Sequence, residues 1–570
     1  MLTQAINGFQ LHFIIAVVLT TALYEVSTVE DRNYWYESAR TAIRRRLQGA
    51  ALPEPELFAK NVILFVGDGL GMATLTAARI LKGQRRDQSG EEEQLAWDQF
   101  PAVALARTYN NDAQIGESSA CATALLCGVK ANYETVGLDS TGRFNICYSS
   151  FSSRVPSILN WAQEQGKATG LVTNTRLTHA TPAALYSHSA SRYWEDDSKM
   201  PAASRRTCKD IARQLVEDQP GRNINVLFGG GRRHLISAMT HDPEEPEKEG
   251  RRLDGRNLIE DWLREKKRRG LQAEYIWNKK QLEYLNTRAV DHVLGMFAYS
   301  HLEFEADRDT EADPTLTEMT RVALQILLKS PHGFFLFVEG GRIDHAHHYN
   351  NAYRALDETL ALESAVVEAI SQVDPEETLL VFTADHSNVL TLGGLTTTRG
   401  NSILGMDTKV SDVDGKPYTT LLYGNGPGYS SPRTVPRGNS RDMVQGAAVP
   451  RTWSTHGGED VPVFAMGPLA SVLFSGTFDQ SYIPHAIAYI ACLGEYAKRC
   501  ATIGHTKTVN TPAQACPAAP AVAAVMADDS ATINQTYTFN KQISRKNKSF
   551  VNQAPLVTLL LLLMTTVIVT

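Results

Sequence analysis

Five short, nearly unbroken apolar runs recur along the chain, and each stops at small or polar residues: NVILFVGDG from Asn61, ATGLVTNT from Ala168, NVLFGGG from Asn225, GFFLFVEGG from Gly333 and TLLVFTADH from Thr378. A strand with one solvated face alternates apolar and polar positions, so runs without alternation fit strands buried on both faces. Amphipathic helical patterns lie between several of them, such as TEMTRVALQILLK before Gly333 and YRALDETLALESAVVEAISQV from Tyr353. The fold class expected is therefore α/β, with a central, mainly parallel sheet sandwiched by helices. No period of about 20 to 50 residues recurs, which argues against a repeat architecture. Residues 396–451 are rich in Gly, Pro, Ser and Asp and read as a small, loop-rich inserted subdomain.

In open parallel sheets the ligand site lies outside the carboxyl ends of the strands. Three of the five runs carry acids there: Asp68, then Glu339 and Asp344, then Asp385. Carboxylates gathered in one place repel, so a cation belongs among them. Asp with His and no nearby Cys suits zinc, whereas acids with hydroxyl groups suit magnesium. In VEGGRIDHAHH, from Val338, the spacing of four lets one short turn present Asp344 and His348 to one ion. Asp385 and His386 are adjacent and reach a second ion only if the backbone bends sharply beyond the strand. In ESSACATALLCG, Ser118 opens a helix of small and apolar residues, where free amide groups and the positive helix end would stabilise an alkoxide or a phosphoryl oxygen. A plain N-cap role for Ser118 or Ser119 is the alternative. GGGRR, from Gly229, lacks the terminal Lys-Ser/Thr of a phosphate loop and reads as a turn.

The 570 residues are 43% apolar and carry a net charge of -6, which gives no footprint for nucleic acid. The one dense basic run, REKKRRG from Arg264, reads as a solvated helix face. LHFIIAVVLTTAL, from Leu11, is too short to span a bilayer and is followed by small residues, so residues 1–22 read as a secretory signal, although the first basic side chain is Arg32. PLVTLLLLLMTTVIVT runs uncharged to the end, and residues 555–570 read as a lipid-anchor signal behind a linker over 501–550. A retained tail anchor is the alternative. The only sequons, at Asn534 and Asn547, fall in that stalk. Seven cysteines fit an oxidising compartment and leave at least one thiol free.

The motifs FVGDGLG, SSACATALLCGVKAN, RLTHATPAALYSH, GGGRRHL, FFLFVEGGRIDHAHH, TADHS, LLYGNGPGY and THGGEDVPVFAMGP together resemble the alkaline phosphatases of the membrane-anchored animal type, over about residues 30–500. The resemblance implies a homodimer that hydrolyses small phosphate monoesters through a phosphoserine, at a site with two Zn2+ and one Mg2+. It implies Ser118 as nucleophile and Arg192 as the phosphate-gripping arginine. Asp344, His348 and His456 would hold one zinc, and Asp68, Asp385 and His386 the other. Asp68, Thr181 and Glu339 would hold the magnesium, with Glu117, His179 and His345 supporting these groups. It also implies the bridges Cys147–Cys208 and Cys492–Cys500, leaving Cys121, Cys127 and Cys516 unpaired, and a lipid (GPI) anchor on the outer face of the plasma membrane.

Three positions depart from the family's pattern. Glu117 stands where Asp is usual, which alters the anchoring of Arg192. A calcium site matches at Glu244, Phe297 and Asp313, but Ala298 replaces its other glutamate, and a lost carboxylate weakens such a site. Trp453 stands at the entrance where some relatives carry acids. The alternative to an enzyme is a catalytically weak relative that serves as a surface-binding glycoprotein; a sulfatase would need a C/S-x-P-x-R signature, which is absent around Ser118.

Overall fold

The computed structural model describes residues 30–49, 57–435 and 440–500. The five apolar runs form β1 (Asn61–Gly67), β3 (Ala168–Arg176), β4 (Val226–Gly230), β7 (Phe334–Gly340) and β8 (Thr378–Ala384). Around them lie β2 (Ala102–Arg107), β5 (Ala273–Ile276), β6 (His292–Met296), β14 (Val461–Met466) and β15 (Gly476–Asp479). These ten make one sheet in the order β15-β2-β14-β8-β1-β7-β3-β4-β6-β5. The five runs are therefore its five contiguous central strands, all parallel, and only β14 runs antiparallel, to β2 and β8. β2, paired between the edge strand β15 and β14, alternates buried and exposed residues, while β1, β7 and β8 are buried throughout, as strands covered on both faces must be.

Helices Leu316–Leu327, Ala352–Gln372 and Met72–Gln84 form one covering layer, and Ser118–Cys127, Ile158–Glu164 and Tyr482–Ala491 form the other. Their ends are set by caps. Thr315 and Glu318 bond each other's backbone N–H in a capping box, and Asn351 Oδ1 accepts from Arg354 N at 2.9 Å. In the core, Trp97 stacks on Phe382 with ring centroids 3.7 Å apart. Truncating either ring would cost about 3–5 kcal/mol in lost contacts and cavity.

Past β8 the chain makes β9 (Ser387–Asn388) and β10 (Leu390–Leu392). The loop-rich segment supplies β11 (Leu421–Gly426) and β12 (Ala447–Pro450), which join β10 in a three-stranded sheet. β13 (His456–Gly457) then pairs antiparallel with β9, setting His456 opposite Asn388. Among the described residues no helix is long and apolar enough to cross a membrane. The expected disulfides Cys147–Cys208 and Cys492–Cys500 are both formed, and Cys121 and Cys127 are buried and free. The basic run is corrected at one position: in helix Leu258–Arg268, Lys266 is buried and donates to the Arg222 carbonyl, because its position faces the core with Trp262. The signal, the linker, Cys516, both sequons and the anchor signal lie outside the described residues.

Candidate active site

Parallel register brings the acids together. Gly67 of β1 pairs with Gly340 of β7 and with Ala384 of β8, so Asp68 and Asp385 leave neighbouring strand ends beside Glu339. The chain turns at Gly69 with φ +75°, where an added Cβ would meet Asn388 Nδ2 at 2.3 Å and Asp344 Cβ at 2.9 Å. Only glycine fits this left-handed position and close approach. Gly69 N donates to Asp385 Oδ1 at 3.0 Å, which closes the bend that lets Asp385 and His386 face one place.

The helix Ser118–Cys127 is buried at every residue, and its N-cap is Glu117. The cap carboxylate accepts from Ser119 N (3.0 Å), Ala120 N (2.8 Å) and the Ser119 hydroxyl (2.5 Å). Ser118 is thus free of capping, and its Oγ lies 3.3 Å from His386 Nε2. Glu117 also accepts from Glu134 N at 3.0 Å and from Arg192 Nη1 at 2.7 Å. Burial alone would raise its pKa, but the Arg192 charge and the cap hydrogen bonds outweigh burial and hold the carboxyl below its ordinary value.

Three groups offer ligand atoms within 4.8 Å of one another: Asp344 with the half-buried His348 and His456; Asp68 with His179 and Glu339; and Asp68 with Asp344 and His386, the last two sets buried throughout. The first is the expected set. In the third, Asp344 stands where Asp385 was expected, although Asp385 Oδ2 is only 3.4 Å from His386 Nε2. In the second, His179 joins the expected Asp68 and Glu339, and the Thr181 hydroxyl donates to Asp68 Oδ2 at 3.4 Å. His179 Nε2 also accepts from Arg192 Nη2 at 3.4 Å, and its ring lies 5.4 Å from that of His345.

These residues fit cations by their unmet oxygens. Asp68 Oδ1, Glu339 Oε1 and Asp385 Oδ2 are buried without a hydrogen-bond partner, a costly state for carboxylates unless a positive charge completes it. Burial, then the nearby Asp385, Asp344 and Glu339 charges, push Asp68 well above the carboxylate range. Burial is the main cause that raises Asp385 to about 8 and Glu339 to about 7. Asp344 goes the other way: burial would raise it, but His348 and His456 bring it well below its ordinary value.

Sequence reasoning missed several supporting side chains. Thr173 of β3, in register with Glu339, donates to its Oε2 at 2.5 Å, and Thr175 donates to the same oxygen at 3.2 Å. The alternating Thr-Asn-Thr end of that run is the available signal. Asn388 Nδ2 donates to Asp344 Oδ1 at 2.8 Å, and the half-buried His301 ring lies 4.4 Å from that of His345; neither belongs to a motif. His347 is a core residue, bonded to Thr74 Oγ1 (2.9 Å) and Tyr423 OH (2.8 Å).

At the calcium position, Glu244 Oε2 accepts from Arg232 Nη2 at 2.6 Å, and the same guanidinium pairs with both oxygens of Asp242 at 2.8 and 2.7 Å. Arg232, from GGGRR, is thus a buried internal cation. Phe297 is buried, and Asp313 Oδ2 accepts from Asp309 N at 3.3 Å. Neither Glu244 nor Asp313 belongs to any of the three ligand groups.

Fold and site together define an α/β protein whose strand ends gather carboxylates and histidines around a helix-borne serine and an arginine, a set suited to metal-assisted phosphoryl chemistry. The Alkaline phosphatase family model matches residues 59–493. The chain is 48% identical to the tissue-nonspecific alkaline phosphatase of Gallus gallus, over 83% of this chain and 92% of that one. It is 46% identical to an alkaline phosphatase of Gadus morhua (82% and 98% covered) and 45% identical to the tissue-nonspecific isozyme of Homo sapiens (83% and 91% covered). Its fold matches the alkaline phosphatases of the Antarctic bacterium TAB5, with TM-score 0.54 and 21% identity over 76% of this chain and 98% of that one, and of Thermus thermophilus, with TM-score 0.54 and 23% identity over 81% and 98%. The chain belongs to the alkaline phosphatase family, and it is a hydrolase of phosphate monoesters.

Proposed function

We propose that hydrolysis proceeds through a phosphoserine at Ser118, with one zinc held by Asp344, His348 and His456, a second by Asp68, Asp385 and His386, and a magnesium by Asp68, Glu339 and Thr181. The observation that carries this reading is the set of unmet, buried oxygens of Asp68, Glu339 and Asp385, those of Asp68 and Asp385 lying beside the His386 ring that Ser118 Oγ contacts. When bound, the ions supply Lewis acidity that lowers the pKa of a serine hydroxyl or a water and offset the crowded carboxylates.

The chain's own residues do the rest. The Glu117 cap leaves the Ser118 hydroxyl free at the positive end of a ten-residue helix, where the negative charge of attack is stabilised. Arg192, tethered by Glu117 through Nη1, can grip two phosphoryl oxygens with its planar fork and so set the phosphorus in line with Ser118 Oγ. His345 and Arg342 back the ligands of the VEGGRIDHAHH segment, the Arg342 Nη1 lying 3.3 Å from His345 Nδ1.

Further parts of the proposal are a homodimer and a lipid anchor on the outer face of the plasma membrane, supported by the apolar C-terminal run and by the two disulfides of an oxidising compartment. The test is hydrolysis of a chromogenic phosphate monoester at alkaline pH, with and without chelator, in the parent and Ser118→Ala. Chelator-sensitive turnover that Ser118→Ala abolishes is expected, together with acid-trapped phosphate on Ser118 of the parent alone. Full turnover in Ser118→Ala would remove the phosphoserine.

A further inference from the structure

The mouth of the site is bordered by large aromatic side chains left in water. Trp453 is 49% exposed, Tyr349 47%, Tyr193 52% and Tyr133 47%. Three of the four lie close to a site residue in the chain: Tyr349 follows His348, Tyr193 follows Arg192, and Trp453 lies three residues before His456. Aromatic surface exposed beside a reactive centre marks a place where a ligand is recognised, since its contact with water is otherwise unrewarded.

Trp453 is the most firmly placed of them. Ser454 N donates to the His348 carbonyl at 3.0 Å, and the Ser454 carbonyl bonds His348 Nδ1 at 2.7 Å. This double link seats the indole edge-on to the His348 ring, with centroids 6.3 Å apart, and against Tyr349 at 4.8 Å. Ser118 Oγ contacts His386, His386 stacks on His456 with ring centroids 3.6 Å apart, and His456 Nε2 lies 3.3 Å from His348 Nε2. His348 is thus linked to the attacking serine only through His386 and His456 in this row of contacts. In-line displacement sends the alcohol away from Ser118, toward the side that Trp453 walls.

We propose that Trp453, supported by Tyr349, selects phosphate monoesters whose alcohol carries an aromatic ring. The proposal rests on the phosphomonoesterase reading and names its substrate class. A ring on the alcohol stacks or packs edge-on against the indole, while the phosphate is held by Arg192 and the groups around Ser118.

The test uses metal-loaded full chain and two substrates with alcohols of similar acidity, 2-phenylethyl phosphate and ethyl phosphate, so that leaving-group chemistry cancels. The parent is expected to favour the phenylethyl ester about fivefold or more in kcat/KM, the scale of one aromatic pair. Trp453→Ala should bring the ratio to about one by slowing the phenylethyl ester alone, and Trp453→Phe should restore most of it. A ratio near one in the parent, or a ratio that survives Trp453→Ala, would overturn the assignment. Affinities for the non-hydrolysable phenylethyl and ethyl phosphonates, measured by calorimetry, separate the two readings. Equal affinities overturn the aromatic wall, whereas unequal affinities without turnover support the wall and sink the hydrolytic chemistry.

Discussion

Glu117 joins the nucleophile to the phosphate grip: one carboxylate caps the helix that starts at Ser118 and accepts Arg192 Nη1 at 2.7 Å. Shortening it cannot serve both partners at once, because the cap hydrogen bonds at 2.8 and 3.0 Å fix its position against the helix. Glu117→Asp should therefore loosen Arg192 and raise the inhibition constant for phosphate several-fold, toward the tenfold that about 1.4 kcal/mol represents. Steady-state inhibition by inorganic phosphate measures it, and an unchanged constant would count against the linkage.

Removal of metal should make stability fall as pH rises. A carboxyl whose native pKa lies above its unfolded value of about 4 contributes fully below that value and loses its contribution as pH rises through the native one. Glu339, raised to about 7, and Asp385, raised to about 8, place that loss between about pH 5 and 8, and Asp68 adds to it. Asp344, lowered by His348 and His456, matters only at more acidic pH. Chelator-treated protein should thus melt at steadily lower temperature across this window, and zinc with magnesium should abolish the trend. A flat or rising melting curve in chelator would contradict the assignment of these carboxyls.

Asn388 holds the carboxylate of Asp344, a proposed zinc ligand. Its Nδ2 donates to Asp344 Oδ1 at 2.8 Å and to the Gly69 carbonyl at 3.3 Å, so it fixes the carboxylate's orientation. Asn388→Ala should weaken zinc binding about 10- to 100-fold with little loss of fold, as for other residues that orient ligands. Competition against a chromogenic chelator reads this directly, and parent-like affinity would refute it.

Arg232 already supplies the positive charge beside Glu244 and Asp242. Calcium should accordingly leave the melting temperature of zinc- and magnesium-loaded protein unchanged. Arg232→Met, which leaves the buried Asp242 carboxylate unpaired, should cost about 3–5 kcal/mol. A calcium-dependent rise of several degrees in the parent would show that the ion displaces the guanidinium.

Much of this was legible in the chain. The five apolar runs are the five central strands because double-sided burial leaves no position for a polar alternation, and the acids at their ends converge because parallel strands end on one side. The flanking strands escaped notice for the complementary reason: β2, half-buried, carries the weaker alternating pattern, and the edge strand β5 is only four residues long.

Sequence alone therefore determined the five central strands and the acids at their ends, since burial on both faces is written into the composition of each run. Tertiary structure alone decided who touches whom. Glu117 rather than a serine caps the helix, Asn388 steadies Asp344, Thr173 and Thr175 hold Glu339, and Arg232 fills the place beside Glu244. Those pairings depend on strand register and on the angstrom-scale approach of loops distant in sequence, and no spacing within one segment encodes either.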